Sequence, residues 1–161
     1  DSVFSYHRWS CMYSAKNAMD DNPNTAWATG KNGGIGEILL IELKSENYNQ
    51  PVKIWGGYGK SKELFLANNR PKGILVYVIL GRKGCGGSQF GRSCYFEDLK
   101  VVDKKNFILK DLNDYQELPL PHYKNKVQKK YWSAVMFLAI EIISVYKGTK
   151  YNDVCISEVK N

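Results

Sequence analysis

Chemistry needs side chains of the right type at close spacing, and one stretch of this chain offers that density. Asn17 to Trp27 reads NAMDDNPNTAW. Asp20, Asp21, Asn22, Pro23 and Asn24 do not extend a helix or strand: proline lacks an N–H, and Asp and Asn hydrogen-bond their own backbone in turns. The stretch therefore reads as a tight loop with several oxygens turned inward. Trp27 closes it with a large apolar surface that belongs at the edge of a core. Paired carboxylates such as Asp20 and Asp21 could do acid–base work, but they serve more often as metal ligands or turn residues.

Other constellations are absent from the sequence. His7 and His122 stand in unlike segments without acidic neighbours, and no Gly-x-Ser-x-Gly elbow occurs. Gly33, Gly34 and Gly36 precede an apolar run that reads as a strand, so they form no phosphate cradle. Gly57–Ser61 (GYGKS) lacks the leading glycine of a phosphate loop. The expectation is a protein without catalytic machinery.

A second group has the chemistry of sugar recognition, where rings stack on apolar sugar faces and planar polar side chains take the hydroxyls. Trp55, Tyr58, Lys60, Asn69 and Arg70 lie close in sequence, and Tyr151 with Tyr146 flanks a late loop. Each of these aromatics could equally pack in a core.

The elements that must position these residues read mostly as strands. The 161 residues make one domain, residues 1–161, long enough for a sizeable core. Ile35–Leu43, Gly73–Leu80 and Trp132–Tyr146 are apolar runs expected as buried strands. Shorter strands are expected at Pro51–Trp55, Tyr95–Val102, Asn106–Asp111, Tyr115–Leu120 and Asp153–Val159. Ser61–Asn68 is the one helical stretch, with Ser61 as its cap and Pro71 beyond its end. Gly81–Cys94 reads as a Gly-rich basic turn. The sum is an all-β sandwich with one short helix.

The net charge of +7 points to acidic partners such as sulfated or sialylated glycans or an anionic membrane surface. No nucleic-acid-binding signature occurs. No run of about twenty apolar residues is present, so no transmembrane segment is expected. The numbering opens at Asp1 without a charged-then-apolar leader, which reads as a mature or trimmed form. The four cysteines, Cys11, Cys85, Cys94 and Cys155, include no Cys-x-x-Cys pair and fit two disulfides in an oxidising compartment. Three pairings are possible. Cys85–Cys94 is favoured, because GGSQFGRS between them reads as a hairpin tip.

NAMDDNPNTAW followed by GGIGEILLIEL at Gly33–Leu43 resembles the opening of a discoidin-like domain, the coagulation factor type C fold, in which an Asp-rich loop ends on tryptophan. GGYGKSKELFLANNRPK at Gly56–Lys72 and YKGTKYNDVCISEV at Tyr146–Val159 are similar to the glycan-binding discoidin-like domain associated with bacterial NAD-glycohydrolase toxins and to related carbohydrate-binding modules. The resemblance spans Asn17 to Val159, with a weaker match at Cys85–Cys94. It implies a discoidin-like jelly-roll β-sandwich. It also implies a non-catalytic carbohydrate-binding module of a secreted or cell-surface bacterial protein, acting in adhesion, targeting or virulence on a host or surface glycan. The alternative it leaves open is an anionic-lipid or protein-binding module, for which Phe90 with Arg82, Lys83 and Arg92 would form the tip. It implies Cys11–Cys155 as the second disulfide, because the termini of such domains lie side by side. It further implies a structural calcium ion. Asp20 would give its carboxylate, Thr25 its hydroxyl and carbonyl, and Asn17 and Asn22 their carbonyls, while Ser157 would give a carbonyl and Glu158 a carboxylate.

Overall fold

The computed structural model describes residues 12–29, 31–43, 50–88, 91–120 and 134–161. Two four-stranded antiparallel sheets face each other. Sheet A has the order β1 (Trp27–Thr29), β8 (Val154–Lys160), β3 (Val52–Gly56), β6 (Gln116–Leu118). Sheet B has the order β2 (Ile38–Glu42), β7 (Ala134–Tyr146), β4 (Arg70–Ser88), β5 (Gly91–Ile108). A short helix, α1 (Lys62–Ala67), links β3 to β4, and a 3-10 turn at Ala15–Met19 precedes β1.

The expected strands are present with shifted limits, each for a local reason. Ile35 is exposed and the strand starts at Ile38, because Gly34 and Gly36 hold positive φ and turn the chain before it. A Cβ on Gly34 would lie 2.1 Å from Val154, so only glycine lets the turn approach β8 this closely. The Ser61 hydroxyl accepts from Leu64 N at 3.2 Å and caps α1 as its sequence position suggests.

Gly81–Cys94 is the main departure. It is no isolated turn but the continuation of β4 into β5, paired from Gly73↔Ile108 to Ser88↔Gly91. Shifts of register near Ile79 and Arg82, with Asp98 at φ 53°, absorb the irregular sequence without ending the strands. The two segments expected as separate strands, Tyr95–Val102 and Asn106–Asp111, therefore fuse across Asp103–Lys105. Lysines there suit an edge strand and do not break it. The Cys85–Cys94 disulfide joins residues directly opposite each other in this arm.

The core between the sheets takes Leu39 and Ile41 from β2, Leu138, Ile140 and Ile142 from β7, and Ile74, Val76 and Val78 from β4. These meet Ile54, Ile156 and Val159 of sheet A, and Trp27 is buried at the margin of the same cluster. The registers also define the opposite face of sheet B. Ile38, Glu141 and Leu75 form one cross-strand row, and Leu40, Ala139, Tyr77 and Lys104 form the next. Glu42, Phe137, Ile79 and Val101 form a third. This outer face is largely apolar. Outside the core, β3 and β6 carry Lys53, Trp55 and Glu117.

Candidate functional site: an oxygen-lined loop beside an aromatic surface

Loop 17–25 lies against the last strand. Asn22 N donates to Glu158 Oε2 at 3.0 Å, tying the loop to β8 across most of the sequence. The Thr25 hydroxyl is ringed by oxygens: Asp20 Oδ2 at 2.8 Å and Oδ1 at 3.0 Å, the Asn22 carbonyl at 2.8 Å and the Asn17 carbonyl at 3.4 Å. A hydroxyl has one proton, so it can satisfy only one of these acceptors at a time. Asn17 uses its side chain to hold the loop base, donating to the Met12 and Ala26 carbonyls.

Glu158 is fully buried. Its Oε2 is satisfied by Asn22, but its Oε1 accepts no hydrogen bond. Burial raises its pKa to about 7; the charges of Asp20 and Asp21 push the same way, and the Asn22 N–H and Lys160 oppose them. Among the described residues no group of three or more His, Cys, Asp or Glu is spaced to hold a metal. What gathers here is instead a mixed set of carboxylate, hydroxyl and carbonyl oxygens, with one buried carboxylate oxygen lacking a partner. That donor set fits a hard cation better than a transition metal. Ser157, whose carbonyl is the donor expected here, accepts from Gly59 N with its hydroxyl at 2.7 Å.

That bond carries the loop onto the aromatic residues. A Cβ on Gly59 would lie 2.9 Å from both Pro23 O and the Trp55 ring, so the turn after β3 is pressed between loop and tryptophan. Trp55 is half-buried, and its Nε1 donates to Asn113 Oδ1 at 3.0 Å. Tyr115 meets it edge-on, with ring centroids 4.9 Å apart, and Lys160 Nζ lies 4.2 Å from the Tyr115 ring centroid. Tyr115 also lines a groove of about 440 Å³ with Phe107, Ile108, Leu112, Leu118 and Pro119. Tyr58 stacks edge-on against Tyr13, and Lys60 is exposed on the same turn. The structure thus gathers Trp55, Tyr58 and Lys60 beside loop 17–25.

Asn69 and Arg70 do not join them, which corrects the expectation that they contact sugar. Asn69 is buried, and its side-chain amide donates to Gly33 O and Asn152 O while its Oδ1 accepts from Gly148 N. Arg70 is 5% exposed; Nε and Nη2 make a two-point pair with Asp111 at 2.8 and 2.9 Å, and Nη1 donates to the Asn68 carbonyl at 2.8 Å. The pair Asn69–Arg70 is a polar node that binds three loops and the end of α1 together, with almost no surface left for a ligand. Tyr151 is exposed, but its backbone is tied to the Ala67 carbonyl of α1, apart from Trp55. The expected Cys11–Cys155 bridge is not present either: Cys155 is a free, buried thiol on β8 opposite Ala28, and burial pushes its pKa up to about 12. Cys11, His7, His122 and Phe90 lie outside the described residues.

Asn113, Tyr115 and Lys160 are the neighbours of Trp55 that local reading misses. The only local hint is an Asn-Asp turn before a tyrosine. Their proximity comes from the pairing Ile54↔Gln116 and Ile54↔Val159.

A two-sheet sandwich with an Asp-rich loop locked onto its last strand belongs to the discoidin class of domains. The chain matches the family of the NAD glycohydrolase translocation F5/8 type C domain over residues 2–161 and belongs to that family. Two solved structures are similar at low identity. One is the CBM32 of AlyQ in complex with 4,5-unsaturated mannuronic acid, at 13% identity over 90% of this chain and 82% of that chain, with a TM-score of 0.35. The other is the family 32 CBM from C. perfringens NanJ in complex with galactose, at 13% identity over 92% of this chain and 84% of that chain, with a TM-score of 0.38. A comparison with curated proteins finds no match. Among the described residues no helix is long and apolar enough to cross a membrane.

Proposed function

We propose that this chain is a non-catalytic glycan-binding module of a secreted or surface-exposed bacterial protein, acting in adhesion or targeting. The observation that carries this reading is the half-exposed Trp55 set edge-on to Tyr115, beside a groove and flanked by planar amides. Asn113 fixes the tryptophan through Nε1, and Gln116 braces the loop by accepting from Lys110 N and donating to Lys110 O. A ring held rigid in this way offers stacking area at little entropic cost. Tyr58 and Lys60 extend the surface towards loop 17–25.

The loop's ion would be structural. Calcium held by Asp20, Thr25, the Asn17 and Asn22 carbonyls and Glu158 would meet the unpartnered Oε1 and relieve the crowded oxygens around Thr25. Ser157, next to Glu158, holds Gly59 against Pro23 of the same loop and against Trp55, so the ion would stiffen the sugar surface through its neighbours. At 100 times its dissociation constant such an ion adds about 2.7 kcal/mol to stability. A glycan array with the Trp55→Ala variant tests the function: wild type retains a sugar class that the variant loses. Failure of wild type to retain any glycan overturns it. The lipid alternative is less favoured, because two of the arm's bases are already paired: Arg82 with Asp98 at 2.6 Å and Lys83 with Glu42 at 3.0 Å.

A further inference from the structure

An antiparallel sheet in a sandwich ordinarily covers one face and leaves the other to water, giving alternation along each strand. Sheet B does not follow this. Three of its four strands read ILLIE, GILVYVIL and AVMFLAIEIIS, nearly continuous apolar runs of the kind found in strands buried on both faces, while the edge strand β5 is of mixed pattern. The consequence is visible on the outer face. Ile38, Leu40, Val101 and Ile143 are 55, 56, 58 and 45% exposed, and Leu99 and Phe96 continue the surface onto the arm. These six are drawn from fourteen exposed large hydrophobics among the described residues, so the apolar surface is concentrated here. A contiguous face of this kind marks an interaction site.

We propose that the outer face of sheet B is the docking surface for a second copy of this chain, the two faces packing sheet on sheet. Two observations favour a second copy. The first is charge. The protein carries +7, yet among the described residues the face itself is balanced: Glu42 bonds Lys83, and Tyr77 receives Lys104 on its ring while donating to Glu141 Oε2 at 2.9 Å. Two positive and two negative groups leave no net charge to repel an identical face, whereas an acidic partner would find nothing to attract it. The second is size. Four strands about 4.8 Å apart and four side-chain rows about 6.8 Å apart, the three above and that of Val135, Gly81 and Leu99, give a footprint of about 19 by 27 Å. With side-chain relief that is on the order of 800 Å² per partner, the area of a standard stable interface.

Sedimentation equilibrium of the 161-residue chain tests the proposal. The expected result is a concentration-dependent dimer that holds or strengthens as salt screens the +7 charge. Leu40→Lys, at an exposed position, should weaken association at least tenfold while keeping near-ultraviolet circular dichroism and melting temperature. Val101→Lys on the opposite edge strand gives the same reading independently, should either variant misfold. Leu66→Lys, an exposed apolar residue on α1, is the control and should leave the dimer intact. A wild type that stays monomeric to millimolar concentration overturns the proposal. So does a dimer that survives both Leu40→Lys and Val101→Lys, one equally weakened by Leu66→Lys, or one dissolved by salt.

Discussion

The two sheets share one core but present opposite outer surfaces. In sheet A, β3 alternates in the usual way: Val52, Ile54 and Gly56 are buried, with Lys53 and Trp55 between them only half-buried, while β8 is buried from Val154 to Val159 because loop 17–25 lies against it. Its exterior is overlain by loop 17–25 and the turn at Gly59, and polar contacts fix both. Sheet B is largely apolar on both sides among the described residues. The difference teaches how one fold can offer two kinds of surface. Oxygens and aromatics gather where the short strands of sheet A meet loop 17–25, which is the surface proposed for glycan. The strands of sheet B place apolar residues in the core and on the outer face, which is the surface proposed for a second copy.

Removing an anchor of the shared core tests the comparison most severely. Trp27→Ala should cost about 3–5 kcal/mol in denaturant unfolding, through the cavity it leaves where β1 joins β8. A cost below about 1 kcal/mol would mean that the loops hold sheet A without its apolar margin.

Arg70→Ala comes next. It leaves the exposed Asp111 without its partner and the Asn68 and Lys147 carbonyls without their donor, and the expected loss is about 2 kcal/mol, since buried acceptors lose their hydrogen bonds. Glycan binding should weaken only as Asn113 loosens. Abolished binding with unchanged stability would return Arg70 to the ligand surface.

The pH dependence of Glu158 gives a smaller and more specific effect. Its pKa in the folded protein, about 7, lies above the ordinary 4.5, so folding favours the protonated acid. The stability from this group is complete below pH about 4.5 and is lost as pH rises to about 7. Melting curves without added metal should show that decline, and Glu158→Gln should flatten it. In the proposed site calcium would hold the carboxylate ionised, so adding it at pH 8 should raise the melting temperature of wild type and leave Glu158→Gln unchanged. A wild-type melting temperature indifferent to both calcium and chelator would leave Asp20 and Glu158 as hydrogen-bond anchors of the loop.

The smallest effect is expected at Lys53→Ala. Lys53 and Glu117 are exposed and 3.9 Å apart, and such pairs are worth at most about 0.5 kcal/mol. Titration calorimetry with a retained sugar should show whether this charge matters to binding. A change above tenfold would extend the recognition surface from Trp55 down β3.

The sequence by itself determined the sandwich, the single helix with its Ser61 cap, the Asp-rich loop and the buried Trp27. These follow from local rules: turn residues cannot propagate a helix, and apolar runs between glycines form strands. The Cys85–Cys94 pairing was legible for the same reason, a short Gly-rich tip. The fate of Asn69 and Arg70 was not legible. Amides and guanidinium groups serve sugars and buried carbonyls equally well, and only the convergence of Gly33, Asp111, Gly148 and Asn152 on them decides which. The same holds for Tyr115 and Lys160, brought to Trp55 by pairing between strands distant in sequence, and for the free thiol of Cys155. Which atoms a polar or aromatic side chain meets depends on strand order, and strand order is settled by long-range pairing that no local pattern encodes.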